Sequence, residues 1–141
     1  MIDQRVRAVI THGSKVLLVQ HKHREASHQG TWGLPGGRLE NQEEAPDAAL
    51  LREIHEELML DGEIQRKVGT WTCQAIDNED DMLENHIYHV TVENTDMQVQ
   101  RDEILSERWF LYDEIDILRT TLGFEAEAIR RVFESRKNGA A

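Results

Sequence analysis

The sequence has little of what marks secreted, membrane-bound or nucleic-acid-binding proteins. Its 141 residues include a single cysteine, Cys73, which leaves no partner for an internal disulfide. The sequence has no long apolar run and no recognisable leader, so we expect a cytoplasmic protein with no membrane contact. We expect Cys73 to be an inert, buried thiol, because no activating neighbours are visible in the sequence. Basic residues number 16 against 27 acidic ones, and the net charge of −11 argues against binding to a nucleic-acid polymer.

The order of apolar and polar segments indicates one layered domain. No internal repeat, low-complexity segment or linker divides the chain, so we expect a single domain over residues 1–141 with an α+β fold and a mixed sheet. The predicted elements are strands at 6–10 and 15–19, a helix from near Glu44, one or two strands within 64–76, a strand at 86–92, a short buried strand at 109–111 and a closing helix at 124–136.

Residues 36–60 form the most informative stretch, because acidic residues are concentrated there on a predicted helix. Pro46 suits the first helical turn. On a repeat of 3.6 residues, Glu53, Glu56 and Glu57 fall on one face, while apolar residues at 50, 54 and 58 form a separate stripe that can pack on a core. The acidic face has two interpretations. It is either a solvated surface or a site for a hard cation such as Mg²⁺ or Mn²⁺.

The same stretch resembles the Nudix box of the Nudix (MutT-like) hydrolases, G-x5-E-x7-R-E-U-x-E-E-x-G-U, where U is a bulky aliphatic residue. Glu44 lies eight residues before Arg52, and residues 52–57, R-E-I-H-E-E, match the central part of the pattern. The preceding W-G-L-P-G-G at 32–37 is also common before the box. The resemblance implies an α/β/α sandwich with a mixed sheet and the box as a loop-helix-loop.

Two positions depart from the pattern. Arg38 stands where the box glycine is expected and the glycine is Gly37, which indicates a loop one residue longer than usual. Met59 replaces the glycine that normally permits a left-handed helix end, so we expect Asp61 and Gly62 to end the helix slightly later.

The resemblance implies roles for the residues of the box. Glu56 and Glu57 are expected to bind the metal, Glu53 is a third ligand or holds the attacking water, and the Gly37 carbonyl is a further ligand. Arg52 is expected to orient Glu53 or Glu44 through a bidentate ion pair, because its donors are fixed in a plane. Glu44 would then brace the start of the helix.

Residues outside the box complete the candidate site. Family members often add an acid from a later loop, and here Glu103 and Glu107 are the candidates, with Asp102 behind them. Lys22 and Arg24 lie in a basic patch that is either a solvated strand end or a contact for substrate phosphates. Trp32 is either a cover for the loop or a stacking surface for a base. Together with the box residues, these are the predicted catalytic, metal-binding and substrate-binding positions.

The resemblance implies a Mg²⁺-dependent pyrophosphohydrolase acting on a small nucleotide, with Mn²⁺ as a possible substitute and a homodimer as a possible assembly. We expect a nucleoside triphosphate cut to monophosphate and pyrophosphate. ADP-ribose or a nucleotide sugar is the alternative substrate. A Nudix-fold sensing module without catalysis is the alternative of another class, although the intact R-E-U-x-E-E segment argues against it.

Overall fold

The structure is a computed structural model that describes residues 2–22, 30–39, 43–75, 80–118, 120 and 123–137. These described residues contain six strands, two α-helices and one 3₁₀ helix. In chain order these are β1 (Ile2–His12), β2 (Lys15–His21), β3 (Gly36–Arg38), α1 (Pro46–Leu58), β4 (Glu63–Gln74), β5 (Met82–Thr91), β6 (Ile104–Leu111), the 3₁₀ helix (Tyr112–Ile117) and α2 (Glu125–Lys137).

The strands form one mixed sheet in the order β4-β5-β1-β2-β6, with β3 paired to β1 beside β2. Strands β1 and β5 are parallel, and the other pairs in the described part of the chain are antiparallel. The predicted opening hairpin is present, with Ile10 opposite Leu17. Residues 64–76 were expected to give one or two strands. Residues 64–74 lie in the single long strand β4, which carries two register shifts, and residue 76 lies outside the described residues.

Apolar side chains cover both faces of this sheet. Alternate residues of β1, such as Val6 and Ile10, pack with α1 on one face, and Val9 packs with α2 on the other. The apolar stripes predicted for the two helices are buried in these clusters: Leu50, Ile54 and Leu58 of α1, and Ile129, Val132 and Phe133 of α2. The α/β/α layering is therefore confirmed. Within the described ranges, neither helix has both the length and the apolar composition needed to cross a membrane.

Helix α1 starts close to the predicted position and ends earlier than predicted. Pro46 occupies its first turn, two residues after Glu44. The expected end at Asp61 and Gly62 is wrong, because the helix stops at Leu58 and Met59 itself adopts the left-handed conformation with φ 56° and ψ 33°. The Met59 N–H donates to the His55 carbonyl, and this early turn lets Leu60 enter the core at 2% exposure.

Two expectations about burial need correction. The segment at 109–111 was expected to be a short buried strand. Strand β6 is longer and lies at the edge of the sheet, where Phe110 is buried and Leu111 is exposed. Cys73 was expected to be buried, but it is only partly covered because β4 is the other edge strand. The sequence also predicts fraying of the tail at residues 137–141. Residue 137 is the last residue of α2, and residues 138–141 lie outside the described residues.

Candidate active site

The acidic face of α1 divides into buried and exposed carboxylates. The whole of Glu57 is only 5% exposed, whereas the Glu53 side chain is 14% exposed and that of Glu56 is 54% exposed. Spacing of three and four residues places all three on one side of the helix. The Oε2 atom of Glu57 is buried, and no hydrogen-bond donor among the described residues reaches it. A buried carboxylate oxygen without a donor is costly in free energy, so this position requires a cation or a proton.

Arg52 joins the start of α1 to its acidic face. Its Nε and Nη2 donate to the two carboxylate oxygens of Glu44 at 2.9 and 3.0 Å, which is the bidentate geometry that guanidinium favours. Its Nη1 donates to Glu53 at 3.1 Å and to Glu56 at 3.2 Å. The ion pair predicted for Arg52 with Glu44 or Glu53 is thus formed with both, and it fixes the positions of their carboxylates.

Two glycines allow the loop before α1 to approach the helix and the sheet. A Cβ atom built on Gly37 would lie 2.6 Å from the Glu53 carboxyl carbon. A Cβ atom on Gly36, whose φ is +152°, would lie 2.0 Å from the backbone oxygen of Val6. Gly36 therefore permits the pairing of β3 with β1, and Gly37 leaves the space that the Glu53 carboxylate occupies.

The loop from Val92 to Glu103 is fastened to the end of α1 by main-chain hydrogen bonds. The N–H groups of Gln98 and Gln100 donate to the carbonyls of Leu58 and Glu57, which the helix itself leaves without partners. The N–H of Lys22 donates to the Glu103 carbonyl at 3.0 Å. These contacts bring Glu103 to the carboxylates of the helix, although it is almost fifty residues away in sequence.

The crowding of carboxylates is visible in their pKa values. Burial, together with the negative charges of Glu53 and Glu103, raises the pKa of Glu57 to about 9. Burial also raises the pKa of Glu53, although the positive charge of Arg52 opposes this shift. Without a bound cation, the cluster therefore holds a proton at neutral pH.

Two cavities of about 320 Å³ each open beside this cluster and share its carboxylates. The first is lined almost wholly by box and loop residues: Arg52, Glu53, Glu56, Glu57, Gln100, Asp102 and Glu103. The second continues past Gly36 and Gly37 to the start of β1, and it adds basic side chains: Arg5, Arg7, His21 and Arg38. Acidic and basic groups therefore face a common space.

The donor set suits a hard divalent cation. Within the described ranges, no three His, Cys, Asp or Glu side chains are already arranged as a complete ligand shell. Glu53 and Glu56 are instead turned towards Arg52. Mg²⁺ needs only one or two protein carboxylates, with waters and substrate phosphates completing its octahedron. The unpaired Glu57 oxygen, with Glu53 and Glu103 beside it, meets that need.

The structure separates the predicted site residues into two groups. Glu44, Arg52, Glu53, Glu56, Glu57, Glu103 and Gly37 come together. Glu107 does not line either cavity, and its Oε1 accepts from Arg101 at 2.8 Å. The side chain of Lys22 is exposed, and Trp32 packs edge-on against Phe110 with 4.9 Å between ring centres. Arg24 lies outside the described residues.

The sequence analysis missed the basic residues of β1. Arg5 and Arg7 alternate with Val6 and Ala8, so a strand with two arginines on one face was legible in the sequence. Their nearness to the box depends on the pairing of β1 with β3, which places Arg7 opposite Gly36.

This arrangement can be compared with known proteins. A family model described as the NUDIX domain matches residues 1–133. The chain belongs to the NUDIX family. NUDIX hydrolases generally use a divalent metal, in agreement with the donor set described above. No curated protein matches the chain significantly.

Solved NUDIX structures share this fold. A MutT NUDIX hydrolase from Burkholderia pseudomallei is 22% identical with a TM-score of 0.77, covering 94% of this chain and 98% of that one. A NUDIX hydrolase from Nitrosomonas europaea is 21% identical with a TM-score of 0.80, covering 96% and 90%. An ADP-ribose pyrophosphatase from Streptococcus suis is 25% identical with a TM-score of 0.71, covering 96% and 92%. This NUDIX chain is a hydrolase of phosphorus-containing anhydrides.

Proposed function

We propose that the protein is a Mg²⁺-dependent pyrophosphohydrolase that cleaves a nucleoside triphosphate to the monophosphate and pyrophosphate, with Mn²⁺ able to replace Mg²⁺. The observation that carries the proposal is the buried, unpaired oxygen of Glu57 beside the carboxylates of Glu53 and Glu103. A purely structural acidic face would leave these charges solvated rather than crowded and buried. A cation bound by oxygen ligands accounts for the cluster, and a diphosphate is the substrate group that needs such a cation.

The box residues divide the work of binding and orientation. Glu57, Glu56 and Glu53 would hold the cation, and the Gly37 carbonyl is a further candidate ligand. When bound, the divalent cation neutralises charge on the diphosphate oxygens and favours deprotonation of the attacking water. Arg52 acts through the carboxylates that it fixes, because its hydrogen bonds run to Glu44, Glu53 and Glu56.

Glu103 is the proposed general base. It adjoins Glu57, and its side chain is accessible. Its main chain is held by two hydrogen bonds, because its carbonyl accepts from the Lys22 N–H and its own N–H donates to the Gln100 carbonyl. The oxygen of water would add to phosphorus, Glu103 would accept the proton, and the bridging oxygen would leave with the electron pair of the broken P–O bond. Glu53, which also adjoins Glu57, would orient that water.

ADP-ribose is the second candidate substrate. It contains the same diphosphate linkage, and the structure at 25% identity is that of an ADP-ribose pyrophosphatase. Hydrolysis of ADP-ribose would yield AMP and ribose 5-phosphate, whereas hydrolysis of a triphosphate would yield a nucleoside monophosphate and pyrophosphate.

A panel of nucleoside triphosphates, ADP-ribose and nucleotide sugars, incubated with Mg²⁺ or Mn²⁺, tests the proposal when products are identified by ³¹P NMR. Release of pyrophosphate supports the triphosphate assignment, and AMP from ADP-ribose would replace it with the second candidate. Glu57→Gln should lower turnover by at least about a hundred-fold, because several kcal/mol of charge stabilisation is lost, while circular dichroism stays unchanged. Absence of turnover with every diphosphate compound would refute the enzymatic proposal.

A further inference from the structure

The cavity that continues from the carboxylates towards β1 contains a guanidinium with unused donors. Arg7 is partly buried on β1 and lines this space together with Glu53 and Glu57. Its Nε donates to the Asn85 side-chain oxygen at 2.8 Å. In the described part of the chain, its Nη1 and Nη2 groups make no hydrogen bond and no carboxylate forms an ion pair with it. The Nη1 and Nη2 groups of Arg7 are therefore available to a ligand.

Asn85 fixes the orientation of that fork. It is completely buried on β5, and its Nδ2 donates to the Trp71 carbonyl at 3.0 Å. Because the amide nitrogen is committed to that carbonyl, the amide oxygen must face Arg7. With Nε held there, the guanidinium can bind an anion only through its Nη1 and Nη2 end, which is the geometry that matches two phosphate oxygens.

Arg5 adds positive charge to the same wall of the cavity. Asp3 accepts from Arg5 at 3.0 Å and from Arg38 at 3.1 Å, so one carboxylate holds two basic side chains in place. The Nε atom of Arg5 is buried and has no hydrogen-bond partner in the part of the chain that the structure describes. The cavity therefore receives three guanidinium groups from β1 and β3, and three carboxylates, those of Glu53, Glu57 and Glu103, from α1 and the loop before β6.

A space with carboxylates on one side and guanidinium groups on the other fits a polyanion that also binds a cation. Burial lowers the pKa of Arg7, and the carboxylates of Glu125 and Glu57 only partly oppose this shift, so an anion bound directly to the guanidinium would stabilise its charge. We propose that Arg7, oriented by Asn85 and assisted by Arg5, binds a phosphoryl group of the substrate on the side of the diphosphate that faces away from the carboxylates. This inference rests on the proposed function, since it assumes a diphosphate substrate.

Binding of two probes tests the inference without turnover. The probes are an α,β-methylene nucleoside triphosphate and inorganic pyrophosphate, each titrated calorimetrically in EDTA and again with Mg²⁺. Arg7→Met should weaken both probes by about ten- to a hundred-fold in either condition, the range for one charge-assisted contact, and Arg7→Lys should fall between. The control is Arg130→Met, which makes the same change of charge on the outer side of α2, where Arg130 pairs with Asp116. It should bind like wild type.

Equal affinity of wild type and Arg7→Met for pyrophosphate would overturn the inference, and a loss confined to the nucleotide probe would then assign Arg7 to the nucleoside part of the substrate. If Arg7→Met fails to fold, phenylglyoxal modification of the wild-type protein replaces it. Pyrophosphate should then slow modification of Arg7, followed by peptide mass spectrometry, and leave Arg130 unaffected. Failure to protect Arg7 would refute the assignment.

The two proposals fail separately. If the wild-type protein binds pyrophosphate through Arg7 but hydrolyses no diphosphate, the proposed function is refuted and the inference about the anion site stands. If the wild-type protein hydrolyses a diphosphate but Arg7→Met binds the probes normally, the inference about Arg7 is refuted and the proposed function stands.

Discussion

Gly36 and Gly37 are adjacent, yet an added methyl group should have opposite consequences at the two positions. At Gly37 it would meet the end of the flexible Glu53 side chain at 2.6 Å, which can move aside and lose its place in the site. We expect Gly37→Ala to lower activity by about ten- to a hundred-fold while changing the free energy of unfolding by less than about 1 kcal/mol.

Gly36→Ala is the matched comparison. Its methyl group would meet the Val6 backbone oxygen at 2.0 Å, and its φ of +152° disfavours side chains. Urea unfolding and steady-state turnover should therefore show a loss of stability for Gly36→Ala and a loss of activity without instability for Gly37→Ala. Equal behaviour of the two variants would contradict this interpretation of the loop.

Glu57 makes cation binding depend on pH. Its pKa of about 9 means that the metal-free cluster holds a proton at neutral pH, and that proton must leave when a cation binds. Calorimetric titration of Mg²⁺ in two buffers of different ionisation enthalpy should reveal release of close to one proton at neutral pH, decreasing as the pH passes about 9.

Glu103→Gln is the control for this proton release. It removes one of the negative charges that raise the pKa of Glu57, so fewer protons should be released at the same pH. Glu57→Gln should abolish the release. Mg²⁺ binding with no proton release in the wild type would show that the buried carboxylate is not a ligand.

At the level of elements, helix α1 ends at a residue in the left-handed conformation, and this residue is Met59 rather than the glycine that the conformation favours. Met59 has φ 56°, a conformation that costs a residue with a Cβ about 1 kcal/mol or more relative to glycine. Since 48% of Met59 is exposed, its removal loses little burial. Met59→Gly should therefore raise the free energy of unfolding by about 1 kcal/mol in urea titrations. Met59→Ala, which keeps the Cβ, should not, and an equal gain would exclude the backbone explanation.

Arg52 and Glu44 couple the loop before α1 to the middle of the helix. Their side chains are 22% and 17% exposed and share two hydrogen bonds. A double-mutant cycle with Arg52→Met and Glu44→Gln should give a coupling energy of about 1–2 kcal/mol in unfolding experiments. The control pair is Arg131 and Glu127, about half exposed on α2, which should give about 0.5 kcal/mol or less. Similar coupling energies for the two pairs would show that Arg52 does not stabilise the start of α1 through Glu44.

These elements show which features a sequence can predict. The acidic face and apolar stripe of α1 follow from local periodicity, and both were predicted because no distant contact alters them. The helix end was mispredicted because burial of Leu60 outweighs the unfavourable φ of Met59. The choice between Glu103 and Glu107 could not be made, since it depends on which loop carbonyls and amides dock on α1.

At the level of the whole molecule, the missing information concerned which strands are neighbours. Arg7 was unremarked because its position beside Gly36 requires β3 to pair with β1, and its contact with Asn85 requires β1 to lie next to β5. The parallel pairing of β1 with β5 joins residues nearly eighty positions apart, and strand periodicity does not encode that distance. Fold class was accessible from the order of elements, whereas the basic wall of the cavity was not.

One buried polar contact joins three elements of the molecule and should set its acid stability. His89 of β5 is 4% exposed, and its Nε2 lies 2.8 Å from the hydroxyl of Thr11 on β1. That hydroxyl also accepts from Arg136 of α2 at 2.9 Å, so one side-chain cluster joins β1, β5 and α2. Burial, followed by the charges of Arg136 and Arg66, lowers the pKa of His89 to about 4.

Stability should therefore fall as the pH is lowered from about 6.5 towards 4. In this window the unfolded chain takes up a proton at His89, with an ordinary pKa of about 6.5, while the folded protein does not. Between about pH 7.5 and 5 the loss attributable to His89 is on the order of 2 kcal/mol.

The difference in free energy of unfolding between wild type and His89→Gln, measured in urea at both pH values, isolates this contribution from the carboxylates. Arg136→Met should make the dependence shallower, because it removes a charge that lowers the pKa of His89. An unchanged pH dependence in His89→Gln would show that the contact among β1, β5 and α2 does not control acid stability.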